Sequence, residues 1–234
     1  MAMSNLIDYI KKAFEYKNNG DYKEAIDFFY KALALDNESA EIMAELADLY
    51  SKLCQYDRAF SFYEQVLLKN PTNYPVKFSY ALLLKNLKEY KKAQMIFEEL
   101  YQTTYETEKV AEELFSICVK NENYKQIISY FNLHANNLSS SQNLYYVALA
   151  YLNTGRENIA NEYFKRSFAI DGKNIESGIK IVELLIENAQ FQDAERIALN
   201  LLQSSETLKQ AKPQELHQLI LDVLFACAHL LGPH

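Results

Sequence analysis

The chain has no tryptophan, and only five glycines, four prolines and three cysteines in 234 residues. So little Gly and Pro excludes a many-turned β protein and suits helices joined by short turns. Cys54, Cys118 and Cys227 are an odd, widely spaced set, which argues against a disulfide framework and for a reducing compartment. All three read as small buried hydrophobes. The longest apolar run, Val223 to Leu231, is too short to span a bilayer and contains His229. Met1 to Ile10 lacks the basic head and apolar stretch of a signal peptide. These features lead us to expect a cytoplasmic protein with no membrane partner.

Basic surplus is missing too. The net charge is −7, and residues 1–73, 74–140 and 141–234 carry 8, 8 and 8 basic against 12, 8 and 11 acidic side chains. No segment offers a footprint for a phosphate backbone, so no nucleic-acid partner is expected. Nor do the glycines form a phosphate-cradling loop, and no serine sits in a GxSxG elbow. His134, His217, His229 and His234 have no Cys or His partner at zinc spacing. The paired carboxylates, such as Glu98-Glu99 and Glu112-Glu113, read as solvated helix faces. The expectation is a protein with no catalytic residue, no cofactor and no metal: not an enzyme.

What is present is a period. Ala25, Ala59, Ala93, Ile127, Ala160 and Ala194 are separated by 34, 34, 34, 33 and 34 residues. Three residues before them stand Tyr22, Tyr56, Tyr90, Tyr124, Glu157 and Phe191; four residues after them stand Phe29, Tyr63, Phe97, Phe131, Phe164 and Ala198. A fixed period of this size signals a stacked repeat. Apolar residues recur at three- and four-residue spacing within each unit, as in Ile42, Met43, Leu46, Ala47, Leu49 and Tyr50, then Tyr56, Ala59, Phe60, Tyr63, Val66 and Leu67. That is helix period, broken once near Leu53–Gln55. Each unit is therefore a helix, a turn and a second helix. The units run 6–39, 40–73, 74–107, 108–140, 141–174 and 175–208, and a further helix is predicted over about 213–231.

The punctuation agrees. Gly20 and Gly155 fall at the inter-helix turn, where a left-handed residue closes a helix cheaply. Asp21 is positioned to cap the next helix, and Pro75 falls in a first turn, where no donor is lost. The alanines are small because two helices cross closely there, and the aromatics four residues on fill the wedge beside the crossing. Residues 103–141, with Thr103-Thr104-Tyr105 and the polar run Asn136 to Ser141, predict the least regular joint and a loose loop.

These residues resemble the tetratricopeptide repeat family, whose pattern runs W-x2-L-G-x2-Y, then A-x3-F, then P. The second unit carries Leu46, Ala47, Tyr50, Tyr56, Ala59, Tyr63, Leu67 and Pro71. The first carries Ala13, Tyr16, Gly20, Tyr22, Ala25, Phe29 and Ala32, and the fifth Ala148, Tyr151, Gly155, Ala160 and Phe164. The absent tryptophan, and Ile127 and His134 in the fourth unit, depart from it. The resemblance covers about residues 6–208. It implies an all-α, right-handed α-solenoid of six helix-turn-helix repeats plus the C-terminal helix, forming one superhelical domain over 1–234. It also implies a scaffold or adaptor whose concave groove, lined by the first helix of each unit, binds another protein as a peptide or amphipathic helix.

Carried onto this sequence, the resemblance places in that groove Ile7, Ile10, Phe14 and Lys17; Asp48 and Lys52; Phe78, Leu82, Lys85 and Asn86; Tyr145, Leu149 and Asn153; and Ile179 and Glu183. The family's carboxylate clamp would need Lys, Asn and Arg where this chain has Ile10, Phe14, Glu45, Pro75 and Ser79, so a C-terminal carboxylate is not the expected ligand. Glu176, Glu183 and Glu187 share a helical face and predict an acidic end to the groove. The terminal helix has a broad apolar face (Leu216, Leu219, Ile220, Val223, Leu224, Cys227, Leu230, Leu231) and few charges. It admits two other readings: a homodimer formed through that helix, or an accessory region of a larger multidomain enzyme.

Overall fold

The computed structural model describes residues 2–171, 175–187 and 190–207 and the single positions Leu221 and Phe225. The predicted terminal helix over 213–231, and with it any dimer contact it makes, lies outside the described residues. So do Cys227 and three of the four histidines.

The described residues form helices and turns only. Twelve α-helices follow in chain order: α1 (Ala2–Asn19), α2 (Tyr22–Leu33), α3 (Ala40–Lys52), α4 (Tyr56–Lys69), α5 (Tyr74–Asn86), α6 (Tyr90–Gln102), α7 (Thr107–Lys120), α8 (Tyr124–His134), α9 (Ser141–Asn153), α10 (Glu157–Ile170), α11 (Ile175–Glu187) and α12 (Phe191–Thr207). The architecture is all-α, of helix-turn-helix pairs in succession, as the 34-residue period predicts. The chain divides into two compact units, Met1–Tyr105 and Glu106–His234.

In the first unit, α1 packs on α2, α3 on α4 and α5 on α6, and the pairs are joined through α2 against α3 and α4 against α5. Ala25, Ala59 and Ala93 are fully buried, and Phe29, Tyr63 and Phe97 beside them are almost so. Apolar burial at these crossings, worth roughly 25 cal/mol per Å² removed from water, is the main force joining the pairs. The second unit repeats the plan: α9 packs on α10, α11 on α12, and α7 and α8 both meet α9. Ala160, Ala194 and Phe164 are buried. Ile127 takes the small-residue position of α8 and is itself fully buried, so that crossing is built around the larger side chain.

The tyrosine that ends each of three first helices stacks on an aromatic twelve residues further on. Tyr16 lies on Phe28 (centroids 5.4 Å apart, planes at 13°), Tyr50 on Phe62 (6.0 Å, 8°) and Tyr151 on Tyr163 (5.5 Å, 9°). A parallel, offset pair of this kind adds to the burial term.

Among the described residues the hairpin turns share one closing bond. The N–H groups of Asp21, Gln55, Glu89, Asn123, Arg156 and Gln190 donate to the carbonyls of Tyr16, Tyr50, Leu84, Cys118, Tyr151 and Leu185 at 2.8–2.9 Å. This six-to-one bond requires a left-handed residue just before the donor. Gly20 (φ 88°) and Gly155 (φ 76°) supply it, as the sequence predicts, but Cys54 (φ 58°), Lys88 (φ 65°) and Glu122 (φ 54°) adopt it without being glycine. Two expectations are corrected here. Cys54 is exposed at a turn rather than buried, because it holds the position that Gly20 holds in the first pair; Cys118 is buried. Asp21 occupies the cap position of α2, but its side chain makes no capping bond. The capping side chains are Ser39, Asn73 and Ser140, which accept from the N–H of Ile42 (3.4 Å), Val76 (3.3 Å) and Asn143 (3.2 Å). Pro75 falls in the first turn of α5, as predicted.

The non-glycine turns give a first prediction. Lys88 is exposed, so Lys88→Gly loses no packing and relieves the left-handed strain. It stabilises the first unit by about 0.5–1 kcal/mol, once the greater freedom of glycine in the unfolded chain is subtracted. A thermal melt checks it: the midpoint rises by a degree or more, and a fall would show that the Lys88 side chain contributes more than the turn costs.

Candidate functional site

The first helices of the first unit carry ten of the residues assigned to the groove. On α1, Ile7 is 50% exposed and Phe14 38% exposed, large values for apolar side chains, and Ile10 is half-buried. Phe14 stands edge-on to the wedge residue Phe29, with centroids 5.4 Å apart. On α5, Phe78 is half-buried and meets Phe97 in the same way at 5.7 Å, and Leu82 and Lys85 are half-buried. Lys52 and Asn86 are exposed at the ends of α3 and α5, and the Lys52 ammonium lies 5.1 Å from the centre of the Tyr22 ring.

Between these apolar side chains, α3 presents a polar strip. Lys17 of α1 forms an ion pair with Glu45 and also lies over the Phe14 ring, 5.5 Å from its centre. One turn further along α3, the half-buried Asp48 accepts a hydrogen bond at Oδ1 from the Tyr63 hydroxyl of α4. Tyr63 is only 2% exposed. Burial, and then the Asp48 carboxylate beside it, push its phenol well above the usual range, so it remains a neutral donor. Ser79 of α5 bonds the same hydroxyl. The strip thus ties α1, α3, α4 and α5 together.

The sequence names Lys17 and Asp48 but assigns Tyr63 only to the wedge and Glu45 only to the absent carboxylate clamp. The missed signal is one atom. Phe29, Phe97, Phe131 and Phe164 stand where the second repeat has Tyr63, and that repeat is also the one with an aspartate at the facing position of its first helix.

In the second unit, Tyr145 is half-buried and packs on the wedge residue Phe164 at 5.9 Å. Leu149 and Ile179 are half-buried, and Asn153 is exposed, its amide donating to the Leu149 carbonyl at 2.8 Å. Glu183 pairs with Lys180 of its own helix at 2.6 Å. One member of the acidic face predicted on α11 is therefore neutralised locally. Glu187 is exposed.

The loop expected to be loose is held. After a 3-10 turn at Ala135–Asn137, Leu138 is buried. The carboxylate of Glu108, from the start of α7, then accepts from the backbone N–H and hydroxyl of Ser139, the N–H of Ser140 and the amide of Asn143. Partial burial raises the Glu108 pKa, but these bonds to its ionised form outweigh that and hold it below the usual carboxylate range.

Among the described residues, no group of three or more His, Cys, Asp or Glu converges as a metal site. No described helix is long and apolar enough to cross a membrane.

The fold and its exposed first helices define a helical-repeat protein. The tetratricopeptide repeat profile matches residues 18–59, and the helix pairs are similar to the repeats of that family. A TPR repeat-containing protein of Methanocaldococcus jannaschii is 29% identical over 141 residues, 58% of this chain and 24% of its own length. The photosystem I assembly protein Ycf3 of Prochlorococcus marinus is 32% identical over 76 residues, 28% of this chain and 44% of its own. The chain thus spans less than half the length of either relative. Among solved structures, a tetratricopeptide repeat protein from Parabacteroides merdae matches at a TM-score of 0.59, covering 92% of this chain and 84% of that one at 16% identity. YrrB, a TPR protein with an unusual peptide-binding site, matches at 0.58, over 83% of this chain and 96% of its own at 18% identity. MamA of strain AMB-1 matches at 0.56, over 71% of this chain and 92% of its own at 18% identity. At these identities the structural matches show the fold alone.

Proposed function

We propose that the protein is a non-enzymatic adaptor that binds a segment of another protein across the first helices of its repeats. The observation that carries this reading is the face of the first unit, where Ile7, Phe14, Phe78 and Leu82 stay at least partly open to solvent on helices that bury Ala13 (α1) and Val76, Leu83 and Leu84 (α5) in the core. Such side chains cost free energy in water and regain it under an apolar partner. Aromatic anchors seated on buried aromatics are the usual energetic centres of an interface. The peptide-binding site ascribed to YrrB and the assembly role ascribed to Ycf3 support a binding role for the same kind of fold.

The test is the double variant Phe14→Ser/Phe78→Ser. It is expected to lose at least tenfold in affinity for partners captured from the native cell, more than about 1.4 kcal/mol. Its helix content, measured by circular dichroism, should stay unchanged. Capture at wild-type level by a folded double variant places the binding surface elsewhere.

A further inference from the structure

We propose that the segment received by the first unit is apolar with one central lysine or arginine, whose cation pairs with Asp48. This rests on the groove reading above and adds the chemistry of the ligand.

The argument begins with what an occupant must cover. Phe14 on α1 and Phe78 on α5 flank α3, which carries Asp48. A segment long enough to touch both therefore lies across that carboxylate. Asp48 is already half-buried, and an apolar cover would remove the rest of its water. Its one hydrogen-bond donor among the described residues would then be the neutral phenol of Tyr63, bound at Oδ1; Oδ2 has none. Covering a carboxylate that lacks a cationic partner is strongly unfavourable, and a buried charge is tolerated when an opposite charge and hydrogen bonds accompany it.

Asp48 forms no ion pair among the described residues. Lys17 is paired with Glu45, Lys77 with Glu99, and Lys52 lies over the Tyr22 ring. The partner must therefore bring the charge. Two further features favour a cation over a neutral donor. The first unit, residues 1–105, carries a net charge of −2, from 13 basic and 15 acidic side chains, and Glu41 of α3 is exposed two turns before Asp48. That field attracts a basic segment before contact. The Tyr63 hydroxyl approaches Asp48 from within the wedge, and Tyr63 is a positioning residue: its ring is fixed by packing, so its donor fixes the carboxylate in turn. An apolar peptide without a cation is rejected by the same carboxylate that holds the correct one.

A phage-displayed library of random dodecapeptides panned on the full chain supplies the probe. Wild type is expected to enrich sequences with one Lys or Arg among aliphatic or aromatic residues. Asp48→Asn keeps the shape and is expected to lose the basic preference while still enriching apolar sequences. In titrations of the best peptide, Asp48→Asn and replacement of the peptide's basic residue by norleucine each weaken binding by about tenfold. Together they weaken it no further, and the salt dependence disappears with either. Tyr63→Phe weakens binding several-fold through the basic peptide alone. A basic preference that survives Asp48→Asn, or apolar sequences enriched on wild type without a basic residue, overturns this inference and leaves the groove reading standing. No enrichment on wild type, or enrichment untouched by Phe14→Ser/Phe78→Ser, overturns both.

Discussion

Ala59→Leu lowers the stability of the first unit by about 1–3 kcal/mol, through overpacking of the α3–α4 crossing. Ala59 is fully buried, with Leu46, Tyr50 and Tyr63 in the same core. Three extra carbons there force a rotamer change or part the helices. The complementary change has the opposite geometry and the same sign. Ile127 holds the equivalent position in α8 and is fully buried, so Ile127→Ala leaves a cavity and costs about 2–5 kcal/mol. Urea melts of both variants check the pair. An unchanged Ala59→Leu transition would mean that the crossing has room the packing does not show. A neutral Ile127→Ala would mean that α8 can close down on α7.

Removing the Glu108 carboxylate has the second large effect. In Glu108→Ala, the N–H groups of Ser139 and Ser140 and the amide of the fully buried Asn143 lose their shared acceptor. The Asn143 amide keeps the Glu108 backbone carbonyl at 2.9 Å, and the lost bonds to a charged acceptor place the cost at about 1.5–3 kcal/mol. Hydrogen exchange should locate it, with loss of protection at Ser139, Ser140 and the first turn of α9. The effect depends on pH with a definite sign. Glu108 has a lower pKa folded than unfolded, so its contribution is complete above the unfolded value of about 4.3 and is lost as pH falls through the lower folded value. The gap between wild type and Glu108→Gln is therefore widest near neutral pH and closes in acid. A gap that is constant across the acid range would show that the carboxylate acts by shape rather than by charge.

The repeats were legible because their determinants are local and periodic. A small residue every 34 positions, an aromatic four places on and helix-spaced apolar residues between them place the helix pairs without any long-range information. Gly20 and Gly155 marked two turns for the same reason. Cys54, Lys88 and Glu122 did not mark theirs, because the six-to-one bond and the packing of the two helices impose φ > 0 on whatever residue falls there. The loop 136–141 read as loose since its composition is polar; Glu108, about thirty residues away, makes it rigid. The exposed cysteine was misread because apolar neighbours in sequence do not settle which side of a turn a residue faces.

The sequence by itself determined the all-α class, the repeat period and where the two helices of each pair fall. Those follow from side-chain size and spacing within one or two helical turns. The tertiary structure alone decided that the Tyr63 hydroxyl reaches Asp48, that Lys17 is spent on Glu45, and that Glu108 organises Ser139, Ser140 and Asn143. Each of these contacts joins residues some 15 to 35 positions apart. Their partners are chosen by how the helices seat on one another, within a pair or between pairs, and no local propensity encodes that.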